Sequence, residues 1–235
     1  MKKFMALLLV AGMTLSLTAC GGSTDTAKTD QADGKDTFTV GFDQDFPPFG
    51  YVGDDGEFTG FDIEMATECA ARMGKKIVLQ PIDWDAKDME LEAWDSKDSE
   101  LATGAISCIW NGFTMNGRED QYTWTDPYMD NSQVVVVKKD SGINTLADLA
   151  GKVVEGQKES AAETALNDEE HADLMASFAQ LLSVGEYNTA FMDLESGAVD
   201  AVAIDIGVAQ FQIEGKEDQY QILDETISSE QYAVG

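Results

Sequence analysis

A protein that holds a small zwitterion out of water needs a fixed cation, a fixed anion and a few hydrogen-bonding dipoles, because neither charge tolerates burial without a partner. Residues of these types stand near the ends of strand-like runs in this chain. Arg118 follows the segment Asn111-Gly112-Phe113-Thr114; a guanidinium grips a carboxylate through two parallel hydrogen bonds and keeps its proton. By residue type alone Arg118 reads as a solvated surface residue beside Glu119. Asp205 follows the apolar run Ala201 to Ile204 and offers a carboxylate where open α/β sheets bind ligands, or a helix N-cap. Thr114 and the Gly112 carbonyl add a donor and an acceptor. Ser160 and the Ala161 amide open a helix whose N-terminus favours a carboxylate. Phe46 and Trp84 are loop aromatics, suited to sandwiching a ligand side chain or to plugging the core. Asp43 is an acceptor for a ligand amide, ammonium or guanidinium, or else a turn former. Asn111 is a further candidate, with packing as its alternative.

Covalent and metal chemistry find no comparable set. Cys20, Cys69, Cys108 and the single His171 are too few for a zinc site of Cys and His, and no metal or cofactor is expected. His171 lies in the charged stretch Asp168-Glu169-Glu170-His171 without a partner for nucleophilic work. Cys69 and Cys108 form a disulfide if their elements pack together, or remain two buried thiols.

The elements that must position these residues alternate. Thr37 to Phe42 reads as a strand emptying into the rigid loop Asp45-Phe46-Pro47-Pro48-Phe49. Asp54-Asp55-Gly56 marks a hairpin turn, and Asp62 is the expected N-cap of a helix with Ile63, Ala66, Ala70 and Met73 on its apolar face and Gly74 at its end. Lys76 to Pro81 and Ala105 to Trp110 read as strands. Between them lie the Asp83-Trp84-Asp85 loop, a helix from about Ala86 and an acidic stretch, Glu90 to Leu101, read as an extended helix or surface insertion. Gln133 to Lys138, with four consecutive valines, is the strongest strand signal. Strands near Lys152 to Val154, Gln180 to Val184 and Ala201 to Ile204 then alternate with helices over Ala161 to Leu166 and Asn188 to Glu195. This pattern predicts α/β architecture with parallel sheets covered on both faces. Two such runs, joined at Asp126-Pro127-Tyr128, predict two lobes with a ligand cleft between them.

The N-terminal end carries an export signal. Lys2 and Lys3 precede an apolar run from Phe4 to about Leu17, too short for a stable membrane anchor. Leu17-Thr18-Ala19-Cys20 resembles the bacterial lipobox, so residues 1–19 are expected to be removed and Cys20 lipidated; the rival is an ordinary secretory signal with an incidental Cys. Gly21 to Asp36 contains no large apolar residue and reads as a flexible linker over 20–36. With 15 basic against 44 acidic residues, nucleic acid is excluded as a partner and adhesion to anionic lipid is disfavoured.

From Thr37 to Gly235 the chain resembles the polar amino-acid family of extracellular solute-binding proteins, the capture components of ABC importers. Seven separated motifs carry the resemblance in order: Val40-Gly41-Phe42-Asp43 with Phe46-Pro47-Pro48-Phe49; Gly56-Glu57-Phe58 with Gly60-Phe61-Asp62-Ile63; Asp83-Trp84-Asp85; Asn111-Gly112-Phe113-Thr114 with Arg118; Trp124-Thr125-Asp126-Pro127-Tyr128; Leu146 to Lys152; and Leu194 to Ala201. The resemblance implies a two-lobed periplasmic-binding-protein-like fold with parallel-rich sheets, lobe 1 over 37–128 plus 233–235 and lobe 2 over 129–232. It makes Arg118 the carboxylate clamp and Asp205 the acceptor of the α-ammonium. The chain departs from the family where Glu159 replaces a usual Gly, Ala161 a second hydroxyl and Asn116 a common Thr, and where the spacing to Arg118 is one residue shorter. The implied protein is no enzyme but a monomeric, lipid-anchored capture protein on the extracellular face of the cell membrane, presenting a polar amino acid to an ABC permease. Two rivals remain: an exported dehydratase of small carboxylic acids, as found among related two-lobed domains, and a sensor docking to a receptor. At Tyr232-Ala233-Val234-Gly235 the family would continue with a strand and closing helices, which leaves open that the sequence is a fragment whose first lobe lacks its cover.

Overall fold

The computed structural model describes residues 36–82 and 106–235. Cys20 with the signal and tether, the Asp83-Trp84-Asp85 loop, the helix expected from Ala86 and the acidic stretch Glu90 to Leu101 lie outside the described residues.

Strand β1 (Thr37–Phe42) runs parallel between β5 (Lys76–Pro81) and β6 (Cys108–Ile109). Helix α1 (Phe61–Arg72) packs on this small sheet, seating Ala66 in one apolar cluster with Val40, Cys108 and Trp110. Cys69 is half-buried against the same cluster, and both cysteines are free thiols. Burial, with Cys69 adding, pushes the Cys108 thiol up to about 12. The N-cap of α1 is Gly60 rather than Asp62. At φ 124 a Cβ on Gly60 would stand 2.4 Å from the Phe49 carbonyl oxygen, so close approach of two backbones fixes the helix start. Asp62, thereby moved into the first turn, turns its carboxylate away to other donors. Gly74, at φ 67, ends the helix in the left-handed conformation that glycine adopts without steric cost.

A second small sheet, β2 (Asp45–Phe46), β3 (Gly50–Val52) and β4 (Phe58–Thr59), is antiparallel and carries the expected turn around Gly56. The largest sheet has the order β11-β7-β10-β8-β9. Its strands are β7 (Met129–Lys138), β8 (Val153–Gln157), β9 (Gln180–Val184), β10 (Ala201–Asp205) and β11 (Tyr220–Ile222). Strand β12 (Ser228–Tyr232) lies along the first half of β7. Pairing is parallel only across β9-β8-β10, because β7 is antiparallel to β10, β11 and β12. The helix-strand alternation accounts for the parallel part across β9-β8-β10, and β7 with its antiparallel neighbours makes the whole sheet a mixed one.

The valine run explains itself by its surroundings. Val134 and Val136 face a cluster with Tyr187, Ala190, Leu194 and Val208, while Val135 and Val137 face Ile143, Leu149 and Leu166 on the other side. A strand covered on both faces needs no polar alternation, and each buried valine contributes about 2 kcal/mol. Helices α2 (Ala161–Leu166), α3 (Ala172–Ser177), α4 (Tyr187–Ser196) and α5 (Ile206–Ile213) supply the cover. The strand expected from Ala105 shrinks to Cys108–Ile109, whereas β2, β11, β12 and α5 have no counterpart in the sequence reading. Beyond β12, Ala233 N–H donates to the Phe113 carbonyl at 3.0 Å and Ile109 N–H to that of Gly235 at 2.8 Å. The last residues thus pair beside β6.

Candidate functional site

The loop leaving β6 brings Asn111, Gly112, Thr114 and Arg118 to one wall of a cavity. Gly112 sits at φ 54, and a Cβ there would press on the Phe46 ring at 3.0 Å and on Tyr232 at 3.1 Å. Its N–H donates to Asp62 Oδ2, which also accepts from the Tyr128 hydroxyl at 3.0 Å. Burial raises the Asp62 carboxyl to about 7 against these stabilising bonds. Arg118 is anchored rather than waving in solvent. Its Nη1 donates to the Thr114 carbonyl at 2.9 Å, its guanidinium lies 5.5 Å from the Phe113 ring centroid, and its own carbonyl accepts from Trp124 Nε1 at 3.0 Å.

The facing wall comes from the large sheet. Asp205 is the N-cap residue of α5, but its side chain makes no capping bond. It accepts instead from Asn131 Nδ2 and Gln133 Nε2, each at 2.7 Å, and from the Tyr232 hydroxyl. The same two amides donate, again at 2.7 Å, to Glu230 Oε1, which takes a third bond from Thr114 Oγ1 at 3.0 Å. Burial first, then the neighbouring Glu230 charge, raises the Asp205 carboxyl above the ordinary range. Glu230 has no place in the sequence reading, where no motif marks Ser228-Ser229-Glu230-Gln231.

Asp43 lies behind the cavity wall at 6% exposure. Its backbone N–H donates to Asn111 Oδ1 at 2.9 Å, and its Oδ2 accepts from Gln157 Nε2 at 3.2 Å. Gln157, also unread from sequence, itself lines the cavity. Burial raises Asp43 to about 6. Phe46 lines the cavity as well, and its ring packs on Phe49 at 5.7 Å and Tyr187 at 6.1 Å. Its expected sandwich partner, Trp84, lies outside the described residues. Ser160 and Ala161 close the rim, but Ser160 Oγ already accepts from Glu163 N–H at 3.1 Å. Glu159 holds φ 58, a left-handed conformation that glycine adopts without steric cost.

These walls leave a space of about 30 Å³, room on the scale of a water molecule. A wider cavity of about 820 Å³ adjoins it, sharing Thr114, Arg118, Glu159 and Ala161 and reaching Glu230. An amino acid therefore enters the inner space only if the walls part. Among the described residues no three His, Cys, Asp or Glu side chains stand where they would hold a metal ion.

The family described as bacterial extracellular solute-binding proteins, family 3, matches residues 38–228. The L-cystine-binding protein of Escherichia coli is 29% identical over 233 residues, spanning 98% of this chain and 80% of that protein. An arginine-binding extracellular protein of Bacillus subtilis is 35% identical over 155 residues, 66% of this chain and 55% of its own length. An ABC uptake transporter substrate-binding protein from Streptococcus pneumoniae, solved with bound histidine, superposes with a TM-score of 0.75 at 32% identity, covering 85% of this chain and 79% of that one. The shared architecture is the two-lobed α/β fold of amino-acid periplasmic binding proteins.

Proposed function

This chain belongs to the bacterial extracellular solute-binding proteins, family 3, and on that premise we propose that it captures a free polar amino acid between residues 37–128 with 233–235 as one lobe and 129–232 as the other. It is a binding protein, not an enzyme. The observation that carries the reading is the cavity bounded by Arg118 on one wall and Asp205 on the other, opposite charges for the two ends of a zwitterion. Gly112, Thr114, Ser160 and Ala161 supply further donors and acceptors, and Asn111 and Phe46 bound the side chain. Relatives named for cystine and arginine, and a neighbour solved with bound histidine, take ligands that share the zwitterion and differ in side chain. Asp43 favours a cationic or amide side chain. Binding energy available only when both lobes touch the ligand closes them, and the closed, monomeric protein delivers its cargo to an ABC permease from a lipid anchor at Cys20.

Thermal unfolding against each proteinogenic amino acid, ornithine and cystine tests this. A ligand at about a hundredfold its Kd adds about 2.7 kcal/mol of stability, a rise of several degrees, and Arg118→Ala removes the rise. No shift with any amino acid, together with identical behaviour of Arg118→Ala, sinks the capture reading.

A further inference from the structure

The register of the large sheet sets two carboxylates side by side. Asn131 and Gln133, two residues apart on β7, project on one face. Asp205 of β10 is the cross-strand partner of Gln133 on one flank, and Glu230 of β12 is the partner of Asn131 on the other. Both amide NH₂ groups divide their hydrogens between the two acids, all four distances being 2.7 Å. Two such bonds laid end to end are the upper limit on the separation of Asp205 Oδ1 and Glu230 Oε1. Asp205 is 4% exposed and Glu230 7%, so water screens neither charge well.

The groups facing the pair can be named element by element. Asn131 and Gln133 come from β7, the Tyr232 hydroxyl from β12, the Tyr187 hydroxyl from α4 at 3.5 Å, and Thr114 Oγ1 from the loop after β6. All are neutral donors, and burial raises both tyrosines further above their ordinary range, with the Asp205 charge adding. The charged residues on the adjoining cavity walls are Arg118, held by the Thr114 carbonyl and the Phe113 ring, and Glu159 with Glu163 and Asp168, which only add negative potential. Gln133, fully buried, gives both hydrogens to the acids while its own Oε1 takes no hydrogen bond. Two buried anions and an unpaired acceptor together call for a cation or a proton.

We propose that Asp205 and Glu230 act as one ammonium receptor, which shares a single proton in the ligand-free protein and releases it to solvent when the ligand's ammonium takes its place. This rests on the amino-acid capture reading and adds Glu230 as the residue that couples binding to pH. No bond other than the carboxyl O–H breaks; the leaving proton goes to buffer, and the incoming ammonium replaces its positive charge. Arg118 keeps its proton throughout and holds the other end of the ligand. Burial by itself raises the Asp205 carboxyl, and the neighbouring Glu230 charge raises it further. The second carboxylate thereby enlarges the exchange and carries it to higher pH.

Calorimetric titration with L-arginine, L-histidine and L-cystine near pH 6, in buffers of different ionisation enthalpy, counts protons directly. Wild type is expected to release up to one proton per ligand and to lose affinity about tenfold per pH unit on the acid side. Affinity levels off above the pH at which the pair has lost its proton. Glu230→Gln keeps an oxygen for Asn131, Gln133 and Thr114, and is expected to release fewer protons than wild type at the same pH and to hold its affinity to lower pH. Carbon-detected titration of the ligand-free protein should find Asp205 above the ordinary carboxyl range in wild type and lower in Glu230→Gln. Binding without proton release in wild type, or an Asp205 titration unmoved by Glu230→Gln, overturns the shared proton and leaves capture standing. Failure of every amino acid to bind overturns both.

Discussion

Asp62 shows what a single buried carboxylate does here. Fully buried, it holds the Gly112 amide of the cavity loop and the Tyr128 hydroxyl beside the start of β7, so one side chain ties the loop bearing Arg118 to the place where the chain crosses into the large sheet. Its carboxyl is raised by burial from an ordinary 3.8 to about 7. As pH rises, the unfolded chain releases this proton first and the folded one last, so the folded state loses stability between those two values and no more above them. Asp62→Asn cannot titrate. Wild type should therefore lose stability relative to this variant from pH 4 to pH 8 by the order of a few kcal/mol, read from urea midpoints at each pH. Parallel curves for the two proteins would mean that the carboxyl titrates normally in the fold.

Among elements, the start of α1 is the sharpest test of how backbone approach shapes the site. Gly60→Ala would drive a methyl into the Phe49 and Pro48 carbonyls at 2.4 and 2.8 Å and should cost more than about 3 kcal/mol in urea unfolding. Gly56→Ala, at φ 83 with open space around it, should cost only about 1 kcal/mol for its left-handed backbone. Equal losses would refute the close-approach account. Strands β5 and β9 and helix α2 were legible to the residue, because short apolar runs were bounded by turn chemistry. The places of the cavity-loop residues after β6 and of Asp205 at the end of β10 were legible because both stand in recognisable motifs. Glu230 and Gln157 were not. Each is polar in a short strand, and its place at the site depends on partners far along the chain: Glu230 opposite Asn131, and Gln157 beside Asp43 in the loop after β1. Asp62 was misplaced for a related reason. An Asp opening a helix is normally read as a cap, and nothing local reveals that Gly112 competes for its carboxylate.

For the molecule as a whole, charge dominates. The chain carries a formal −29, and among the described residues Arg72 pairs with Glu68 and Lys152 with Asp200, both pairs exposed. Such pairs contribute little, so salt screens more repulsion than attraction. The melting temperature should rise by several degrees as sodium chloride goes from about 0.01 M to about 0.15 M, over which the Debye length falls from about 30 Å to about 8 Å; a fall would show that local attractions outweigh the global field. One further consequence concerns how the molecule can move. Its two crossings between the small sheets and the large one are paired with each other, Met129 opposite Tyr232, and Tyr128 N–H donates to the Tyr232 carbonyl at 2.9 Å. A pair of separate strings would let the halves slide, tilt and twist independently. A hydrogen-bonded ribbon bends readily across its flat face but resists shear, since sliding one edge past the other breaks the rungs. On the capture proposed above, such a ribbon would confine opening to a swing, returning Arg118 and Asp205 to the same separation at every closure.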